Sequence, residues 1–341
     1  MAKGHVSPNP MVGAVLVHNE RIIGEGWHQQ YGQAHAEVNC LASVADEDRQ
    51  YIPESSMYVS LEPCSHFGKT PPCANRLVKE GIKNVVICNK DPFAQVNGRG
   101  VEILQSNGIS VTTGVLADAG RWVNRRFFCL HEQQRPYIIL KWAQTADGFI
   151  APTDRSRYPI TNAQSNQLVH KWRTEEDAIM VGFQTALNDN PQLTARLWDG
   201  KNPLRIVTDK NLTLPSSLKL FDNGAETWVL NSKEENSKGN LHHIQLDFNS
   251  SIIPQLLQRL YESNKQSLIV EGGAVLLQTF IDAGLWDEAR VFTGPAKLEA
   301  GIKSPVLQQA DMVMQSHIST DTLQVYTNTA TPYPYVNGYD L

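Results

Sequence analysis

The chain of 341 residues contains no apolar run long enough to cross a bilayer. A membrane-spanning helix needs roughly 20 consecutive apolar residues, so no such span is expected. The first residues, Met1 to His5, also lack the apolar core of a signal peptide. We therefore expect a cytoplasmic protein that does not act at a membrane.

Clusters of basic residues are also missing. The net charge is −5, from 30 Lys and Arg against 35 Asp and Glu, and the cations are scattered along the chain. Phosphate backbones select for basic surfaces, which argues against nucleic acid as the main partner. An anionic small molecule needs only a few local cations, and we expect a substrate of that kind.

Cysteines are few, and their number, five, is odd. Without a secretion signal, this count disfavours a disulfide framework and favours metal binding or burial. Cys40, Cys88 and Cys129 occur in apolar or helical patterns and are expected in the core. A Gly-x-Gly-x-x-Gly fingerprint is absent too, which disfavours a Rossmann dehydrogenase.

Two series of alternating strands and helices fill the chain, which is longer than one compact core usually holds. A charged, aromatic helical stretch from Ala117 to Glu132 separates them. The sequence therefore predicts two α/β domains, at residues 1–118 and 137–341, joined by a helical linker at 119–136. Strands of the second series are expected at Tyr137–Trp142, Ala178–Val181, Leu204–Thr208, Thr227–Leu230, His243–Leu246 and Ser267–Val270.

Three side chains of the first domain have the chemistry of zinc ligands. His35 opens a predicted helix, Cys64 follows a predicted strand, and Cys73 comes nine positions later. One imidazole and two thiolates leave a fourth position on zinc for water, whose pKa the metal lowers to about 7. Glu37 is too close to His35 for both to bind the metal comfortably. We expect it to move a proton from the water to a leaving amine.

The cysteine spacing departs from the general pattern of zinc deaminases, which is His-x-Glu with Pro-Cys-x-x-Cys. Eight residues separate Cys64 from Cys73 in this chain. One alternative is a structural zinc site that His66 closes as a fourth ligand, although such a site does not need Glu37. Another alternative is that the three residues do not bind a metal together.

Several segments in combination resemble the bifunctional deaminase/reductases of riboflavin biosynthesis. In the first half these segments are Ser7 to Gly13, His35 to Glu37, Glu62 to His66 and Lys69 to Cys73, with Asp91-Pro92 and Gly98 to Gly100. In the second half they are Lys141 to Gly148, Asp177 to Gly182, Asp189 to Arg196 and Val270 to Gly273. The long loop that ends in Thr-Pro-Pro-Cys separates this family from cytidine and tRNA-adenosine deaminases.

The resemblance implies a cytidine-deaminase-like three-layer αβα domain followed by a dihydrofolate-reductase-like α/β domain. With zinc, the first domain would deaminate a diaminopyrimidinone that carries a phosphoribosylamino group. The second domain would then reduce the ribosyl side chain of the product to ribityl with NADPH. The resemblance also implies a homodimer through the reductase domain.

Roles for individual residues follow from the resemblance. Asn9, His28 and Lys69 would contact the deaminase substrate. In the reductase, Lys141, Asp189 and Glu271 would act as catalytic groups around the sugar, with Glu271 also binding substrate. The other implied substrate contacts, with arginines suited to a phosphate, are Arg157, Arg173, Leu193 and Arg196. The implied NADPH contacts are Ala143, Pro159, Thr185, Asp189, Lys210, Gly272, Gly273, Ala274 and Val275.

Three features depart from the family pattern. Only Met1 to Val6 precede the Ser-Pro-Asn-Pro segment, where the family usually has a full helix. Either the true start lies upstream, or the deaminase domain lacks a covering helix and is expected to expose apolar sheet surface. Pro159 replaces a tryptophan of the cofactor contact, and the neighbouring Tyr158 is the expected substitute. Phe93 replaces an asparagine, which removes one polar contact in the deaminase.

Two rival functions use the same residues differently. The first is a zinc deaminase of a nucleoside or a nucleic-acid base, fused to an unrelated C-terminal domain. The acidic net charge and the cysteine spacing count against it. The second is an inactive zinc-binding module that assembles other enzymes, and the presence of Glu37 counts against that function.

Overall fold

A computed structural model describes residues 3–65, 71–93 and 97–339 of the chain. The chain divides into two compact units, of which unit 1 comprises residues 1–133 and 333–341 and unit 2 comprises residues 134–332. The helical stretch predicted as a linker thus belongs almost entirely to unit 1. The last residues of the chain also return to unit 1, although the sequence analysis placed them in the C-terminal domain.

Unit 1 is built on one mixed sheet. Its strands are β1 (Gly13–His18), β2 (Arg21–Trp27), β3 (Ser56–Leu61), β4 (Asn84–Asn89) and β5 (Ser110–Thr113). The strand order is β2-β1-β3-β4-β5. The β1–β2 and β1–β3 pairs are antiparallel, whereas β3, β4 and β5 run parallel. The parallel strands point their carboxyl ends to the same edge of the sheet.

Helices pack on both faces of this sheet. Those of unit 1 are α1 (Ala36–Ala42), α2 (Cys73–Lys79), α3 (Arg99–Ser106), α4 (Ala117–Val123) and α5 (Arg125–Gln133), with a 3-10 segment at Asp46–Glu54. Residues of α1, α2 and α3 share one apolar core with alternate residues of β1, β3 and β4. Leu16, Met57 and Ile87 are fully buried there. This packing holds the first turns of α1 and α2 near the end of β3.

Asn124 interrupts the helical stretch that the sequence analysis treated as continuous. It lies between α4 and α5, and its side-chain amide pairs with the backbone of Met11. The Met11 amide donates to Asn124 Oδ1 at 2.8 Å, and Asn124 Nδ2 donates to the Met11 carbonyl at 2.9 Å. Asn124 is buried. These two bonds fix the segment that carries Asn9.

The C-terminal tail of the chain packs on α4 and α5. Tyr333 is fully buried, its hydroxyl donates to Glu132 at 3.4 Å, and the Arg121 guanidinium lies 5.3 Å from its ring centre. Tyr335 packs edge-to-face on Trp122, with the ring centres 5.1 Å apart. These contacts are the reason why the tail belongs to unit 1.

The face of the unit 1 sheet that carries Val15, Tyr58 and Val86 has an apolar recess of about 280 Å³. Leu116 and Tyr339 also line it. Tyr58 and Leu116 are exposed. Apolar surface is therefore present on this face.

Unit 2 contains a large sheet and a small one. Its strands are β6 (Tyr137–Gln144), β7 (Phe149–Ala151), β8 (Ala178–Val181), β9 (Leu204–Thr208), β10 (Thr227–Asn231), β11 (Asn236–Lys238), β12 (Leu241–Gln245), β13 (Ser267–Glu271), β14 (Glu288–Thr293), β15 (Ile302–Lys303), β16 (Ala310–Ile318) and β17 (Asp321–Asn328). The ten-stranded sheet has the order β11-β12-β10-β9-β8-β13-β6-β14-β17-β16, and β7 pairs with β15. The strands from β12 to β14 in this order run parallel, while β11, β17 and β16 are antiparallel.

The helices of unit 2 lie between its strands in the chain. They are α6 (Ala163–Glu175), α7 (Phe183–Asp189), α8 (Ile252–Glu262) and α9 (Ala274–Asp282). Helices α7 and α9 begin directly after β8 and β13, at the carboxyl edge of the sheet, where ligands of open α/β sheets bind. None of the helices among the described residues combines the length and apolarity that a bilayer crossing requires.

Candidate active sites

The three predicted zinc ligands converge in unit 1. His35 lies at the N-terminal end of α1, Cys64 follows β3, and Cys73 is the first residue of α2. His35 Nδ1 lies 3.5 Å from Cys64 Sγ and 3.4 Å from Cys73 Sγ. A tetrahedral zinc with Zn–N of about 2.0 Å and Zn–S of about 2.3 Å separates nitrogen from sulfur by about 3.5 Å. The donor set and its spacing therefore fit one zinc ion.

The thiols of Cys64 and Cys73 differ in pKa. The Cys73 amide donates to Cys64 Sγ at 3.2 Å. Hydrogen bonds, first from Cys73 and then from His35, lower the pKa of the Cys64 thiol to about 4 against the opposing effect of burial. The pKa of Cys73 is raised, first by the hydrogen bond with Cys64 and then by burial. Cys64 is thus the thiol that gives up its proton more readily, and thiolates are the form that zinc takes.

Glu37 lies in the first turn of α1, two residues after His35, and is 3 % exposed. Burial raises the pKa of its carboxyl to about 7. The group of metal-binding atoms comprises His35, Cys64 and Cys73 and leaves Glu37 out. A buried carboxyl with a pKa near neutrality, beside but outside a metal site, is suited to accept and return protons.

Glu62 precedes Pro63 and Cys64 and ties the end of β3 to the start of α3. Its buried carboxylate accepts hydrogen bonds from four backbone amides, of Asp91 at 3.3 Å, Gly98 at 3.0 Å, Gly100 at 2.9 Å and Val101 at 3.2 Å. A Cβ on Gly100 would lie 2.1 Å from the Pro63 carbonyl, so only glycine allows this approach. The backbone next to Cys64 is therefore fixed by the hydrogen bonds of Glu62 and by the close packing of Gly100 against Pro63.

Asn9 and His28, two of the predicted substrate contacts, bind each other. His28 Nδ1 lies 3.1 Å from the Ala34 carbonyl, and its Nε2 lies 3.2 Å from Asn9 Nδ2. Because a carbonyl only accepts, Nδ1 carries the proton and Nε2 accepts from the Asn9 amide. Burial lowers the pKa of His28, which keeps the ring neutral. Its ring also lies edge-on to His35, with the centres 5.4 Å apart.

Two residues of the sequence analysis lie outside the described residues. They are Lys69, the third predicted substrate contact, and His66, the fourth ligand of the structural alternative. Phe93 is described: its backbone amide donates to Asp91 Oδ1 at 2.8 Å, and its ring centre lies 5.3 Å from that of His131. The side chain at this position makes an aromatic contact, and the loss of a polar substrate contact there stays a prediction.

In unit 2, Lys141 on β6 and Glu271 on β13 are partners in the strand register. The buried Arg173 of α6 donates to Glu271 Oε2 at 3.0 Å and to the Thr194 carbonyl at 3.3 Å. Burial lowers the pKa of Lys141. Burial alone would raise the pKa of Glu271, but Arg173 and Lys141 outweigh it and lower that pKa. The result is a buried carboxylate between two cations.

Further cations surround this group. Arg196 Nη1 donates to Thr194 Oγ1 at 3.1 Å. The pKa of Arg196 is lowered by burial and then by the positive charges of Arg173 and Arg157. Asp189, the last residue of α7, has a pKa that burial raises and Arg157 lowers. Arginines that repel one another at one place favour an anion there.

Leu193 differs from the arginines. It is 1 % exposed and has a φ of 55°, so its side chain packs in the interior of unit 2. The contact of Leu193 with substrate stays a prediction.

Thr185 and the Gly272-Gly273 pair form the core of the predicted cofactor site. The Gly273 amide donates to Thr185 Oγ1 at 2.9 Å. Gly272 has a φ of 122°, which favours glycine, and a Cβ there would lie 3.0 Å from the same hydroxyl. The chain then enters α9 at Ala274, and Val275 in its first turn is 82 % exposed. The Gly273 amide is thus engaged by Thr185, whereas the amides of Ala274 and Val275, in the first turn of α9, have no acceptor within the helix and are suited to a phosphate.

The other predicted cofactor residues are more dispersed. Ala143 lies near the carboxyl end of β6. Lys210 follows β9; its carbonyl accepts from the Ser232 amide at 3.0 Å, and its ammonium lies 5.8 Å from the ring centre of Phe248. Pro159 is exposed in the segment between β7 and α6. The structure thus brings Ala143 and Lys210 to the carboxyl edge of the sheet and places Pro159 on a loop.

Sequence reasoning missed several residues that shape these sites. Glu62 was noticed only as part of a motif, and its position directly before Pro63-Cys64 was the one signal of a role beside the metal. Asn124 and His170 belong to no motif. Their contacts join segments that are 113 and 26 residues apart in the chain.

Comparison with known proteins identifies the family. The RibD C-terminal domain model matches residues 136–325, and the model of the cytidine and deoxycytidylate deaminase zinc-binding region matches residues 1–89. The chain is 38 % identical to riboflavin biosynthesis protein RibD of Aquifex aeolicus over 88 % of this chain and 85 % of that protein. The chain belongs to the RibD family. It is also 32 % identical to RibD of Escherichia coli K12, over 85 % of this chain and 83 % of that protein.

Solved structures of RibD proteins agree with this assignment. A diaminohydroxyphosphoribosylaminopyrimidine deaminase/5-amino-6-(5-phosphoribosylamino)uracil reductase from Thermotoga maritima superimposes with a TM-score of 0.87 at 32 % identity, covering 96 % of this chain and 94 % of that one. RibD of Acinetobacter baumannii gives a TM-score of 0.84 at 29 % identity, with coverages of 95 % and 94 %.

Membership of the RibD family makes the chain a bifunctional enzyme of riboflavin biosynthesis, with a zinc-dependent deaminase half and a reductase half. The predicted fold class is confirmed: a cytidine-deaminase-like domain precedes a dihydrofolate-reductase-like α/β domain.

Proposed function

We propose that unit 1 deaminates 2,5-diamino-6-(5-phosphoribosylamino)pyrimidin-4-one, and that unit 2 then reduces the ribosyl side chain of the product to ribityl with NADPH. The observation that carries the proposal is the convergence of His35, Cys64 and Cys73 beside a buried Glu37. The two activities in the name of the related Thermotoga maritima protein support the choice of substrates.

His35, Cys64 and Cys73 would hold zinc in unit 1. The chemistry that zinc supplies when bound is the acidification of a water ligand to a pKa of about 7. Glu37 takes a proton from the attacking water and delivers one to the leaving amine, so that one water is consumed and one ammonia is released. The pKa of about 7 for this carboxyl supports both halves of the transfer.

Recognition of the pyrimidine in unit 1 rests on Asn9 and His28. Since His28 Nε2 accepts from the Asn9 side-chain amide, that amide is fixed in one orientation. Its carbonyl oxygen then remains as an acceptor for an amino group of the substrate. We assign Lys69 to the substrate as well, on the family resemblance.

In unit 2, Lys141, Glu271 and Asp189 would manage protons, and Arg157, Arg173 and Arg196 would bind the substrate phosphate. Reduction of the open-chain imine form of the ribosylamine delivers a hydride to carbon and a proton to nitrogen. Lys141, whose pKa burial lowers, is suited to give that proton, and the negative charge of Glu271, its partner in the strand register, favours the ammonium form. The mutual repulsion of the arginines supports their assignment to an anion.

NADPH, when bound, is the electron donor of this reduction. Thr185, Gly272 and Gly273 would hold it, because the two glycines allow close backbone approach at the start of α9 and Thr185 fixes their turn through the Gly273 amide. Ala274 and Val275 continue that turn. Ala143, Pro159, Asp189 and Lys210 are further proposed contacts, with the ammonium of Lys210 suited to a 2′-phosphate.

We also propose a homodimer through unit 2 and a location in the cytoplasm. The family resemblance supports the dimer, which light scattering on purified protein tests. Free cysteines, including the two sulfur ligands, support a reducing compartment.

A coupled assay tests the proposed function. Purified zinc-loaded protein should release ammonia from the diaminopyrimidinone phosphate without NADPH, and should oxidise NADPH only after that release. Ammonia release without any later NADPH oxidation would contradict the assignment of unit 2. Deamination of a nucleoside, tRNA or DNA oligomer, with no turnover of the phosphoribosyl pyrimidine, would favour the rival function.

A further inference from the structure

His170, a buried residue of α6, accepts hydrogen bonds from the loop that carries Arg196. Its Nδ1 lies 2.8 Å from the Arg196 amide and 3.4 Å from the Leu197 amide. The residue is 5 % exposed. It precedes Arg173 by three positions, so both side chains lie on the same face of the helix. His170 therefore connects the buried carboxylate cluster to the loop.

The part of this loop at residues 195–199 is half-buried or exposed. Leu197 is 53 % exposed and Trp198 is 43 % exposed, so their apolar side chains give it little packing. Besides His170, the Ala195 amide donates to Asn202 Oδ1 at 2.9 Å, the Arg196 guanidinium donates to Thr194 Oγ1 at 3.1 Å, and Arg173 donates to the Thr194 carbonyl at 3.3 Å. A loop with little buried apolar surface opens readily unless hydrogen bonds hold it.

The bonding pattern fixes the protonation of His170. Two backbone amides donate to Nδ1, so this nitrogen offers its lone pair and the proton resides on Nε2. The pKa of the ring is lowered to about 4, first by burial and then by the charges of Arg173, Arg196 and Lys141, with Glu271 opposing them. The ring therefore stays a neutral acceptor at the pH where the enzyme works.

We propose that His170 is a positioning residue of the reductase, which holds the Arg196 backbone so that the guanidinium faces the phosphate of the substrate. The inference rests on the proposed function of unit 2, in which Arg196 binds that phosphate. His170 acts through Arg196 and takes no part in proton transfer.

Two substitutions separate the acceptor from the bulk of the side chain. H170L removes the acceptor at similar size, whereas H170N puts an amide oxygen close to the place of Nδ1. In zinc-loaded full-length protein, H170L should raise the KM for the deaminated substrate about tenfold, since buried amides lose their partner, with kcat changed by less than about twofold. H170N should restore most of the affinity.

The same chain supplies the controls. The exposed His317 of β16 is in unit 2, and H317L should leave both kinetic constants of the reductase unchanged. Ammonia release by unit 1 and the KM for NADPH should be the same in all variants. A change in these values in H170L would mean general damage to the fold and would contradict a positioning role.

A double-mutant cycle tests whether His170 acts through Arg196. R196A alone should raise the same KM, and H170L added to R196A should raise it no further. If the two effects multiply, His170 contacts the substrate on its own and the proposal is wrong.

Amide hydrogen exchange provides a test that needs no substrate. In the protein and in H170N the peptide that contains the Arg196 and Leu197 amides should be protected, and in H170L it should exchange at least about tenfold faster. Equal exchange in all three would overturn the proposal even in an active enzyme. If the loop is released as expected but no variant or parent reduces the deaminated substrate, the proposed function of unit 2 fails instead.

Discussion

Replacing Glu37 by glutamine should stop the deaminase while leaving its metal in place. The amide has nearly the same shape but cannot exchange a proton. A positioned acid or base contributes about 10²- to 10⁴-fold to a rate. At about 1.36 kcal/mol for each factor of ten, the barrier should rise by about 3 to 5 kcal/mol. Zinc should remain, because the ligand set is His35, Cys64 and Cys73.

Stability should not suffer from this change. Burial raises the pKa of Glu37 to about 7, which means that the ionised carboxylate is poorly solvated where it lies, and a neutral amide removes that cost. Ammonia release, zinc content by atomic emission and unfolding of unit 1 would be measured on the same preparation. NADPH oxidation with the deaminated substrate is the internal control and should match the parent. An E37Q protein that holds its zinc and releases ammonia within about tenfold of the parent rate would refute the proton-transfer role.

Three further outcomes follow from the structure. Burial raises the pKa of Asp91 from 3.8 to about 6, so the folded state favours the protonated form and unit 1 should lose stability as the pH rises from about 4 to about 6. D91N should remove this loss in urea unfolding, and parallel pH curves for the two proteins would contradict the assignment. Truncation of the fully buried Tyr333 to alanine should lower the free energy of unfolding of unit 1 by about 3 to 5 kcal/mol, measured by thermal or urea unfolding. Y339A, at a 41 % exposed position, should lower it little. Equal losses in the two variants would contradict the packing of the tail. Dialysis against a chelator should abolish ammonia release but not NADPH oxidation with the deaminated substrate, and loss of both would mean that the reductase also depends on the metal.

The buried parallel strands were the most predictable part of the fold. Ala178–Val181 and Leu204–Thr208 were predicted with the bounds that the structure has. Central strands of a parallel sheet are covered on both faces, so they appear in the sequence as continuous apolar runs. The short strands β7, β11 and β15 have two or three residues each and were not predicted, since so few residues carry no periodicity.

The site residues divide in a similar way. His35, Glu37, Cys64 and Cys73 could be proposed from sequence because metal chemistry restricts both their type and their neighbours. His170 could not, because a lone histidine in an amphipathic helix is usually a core residue. Its role depends on a loop that only the folded chain brings within 3 Å of its ring. The role of Asn124 could not be predicted either, because its partner Met11 is 113 residues away in the chain.

The return of the tail to unit 1 has a consequence for synthesis. The ribosome makes residues 1–133 first, but the pocket that Tyr333 fills is completed only after residues 134–332 have been made. The first unit to emerge is thus the last to acquire all of its interior. A gene split after residue 133 would yield a deaminase half with an open aromatic pocket between Arg121 and Glu132, and supplying the tail as a short peptide should be enough to close it.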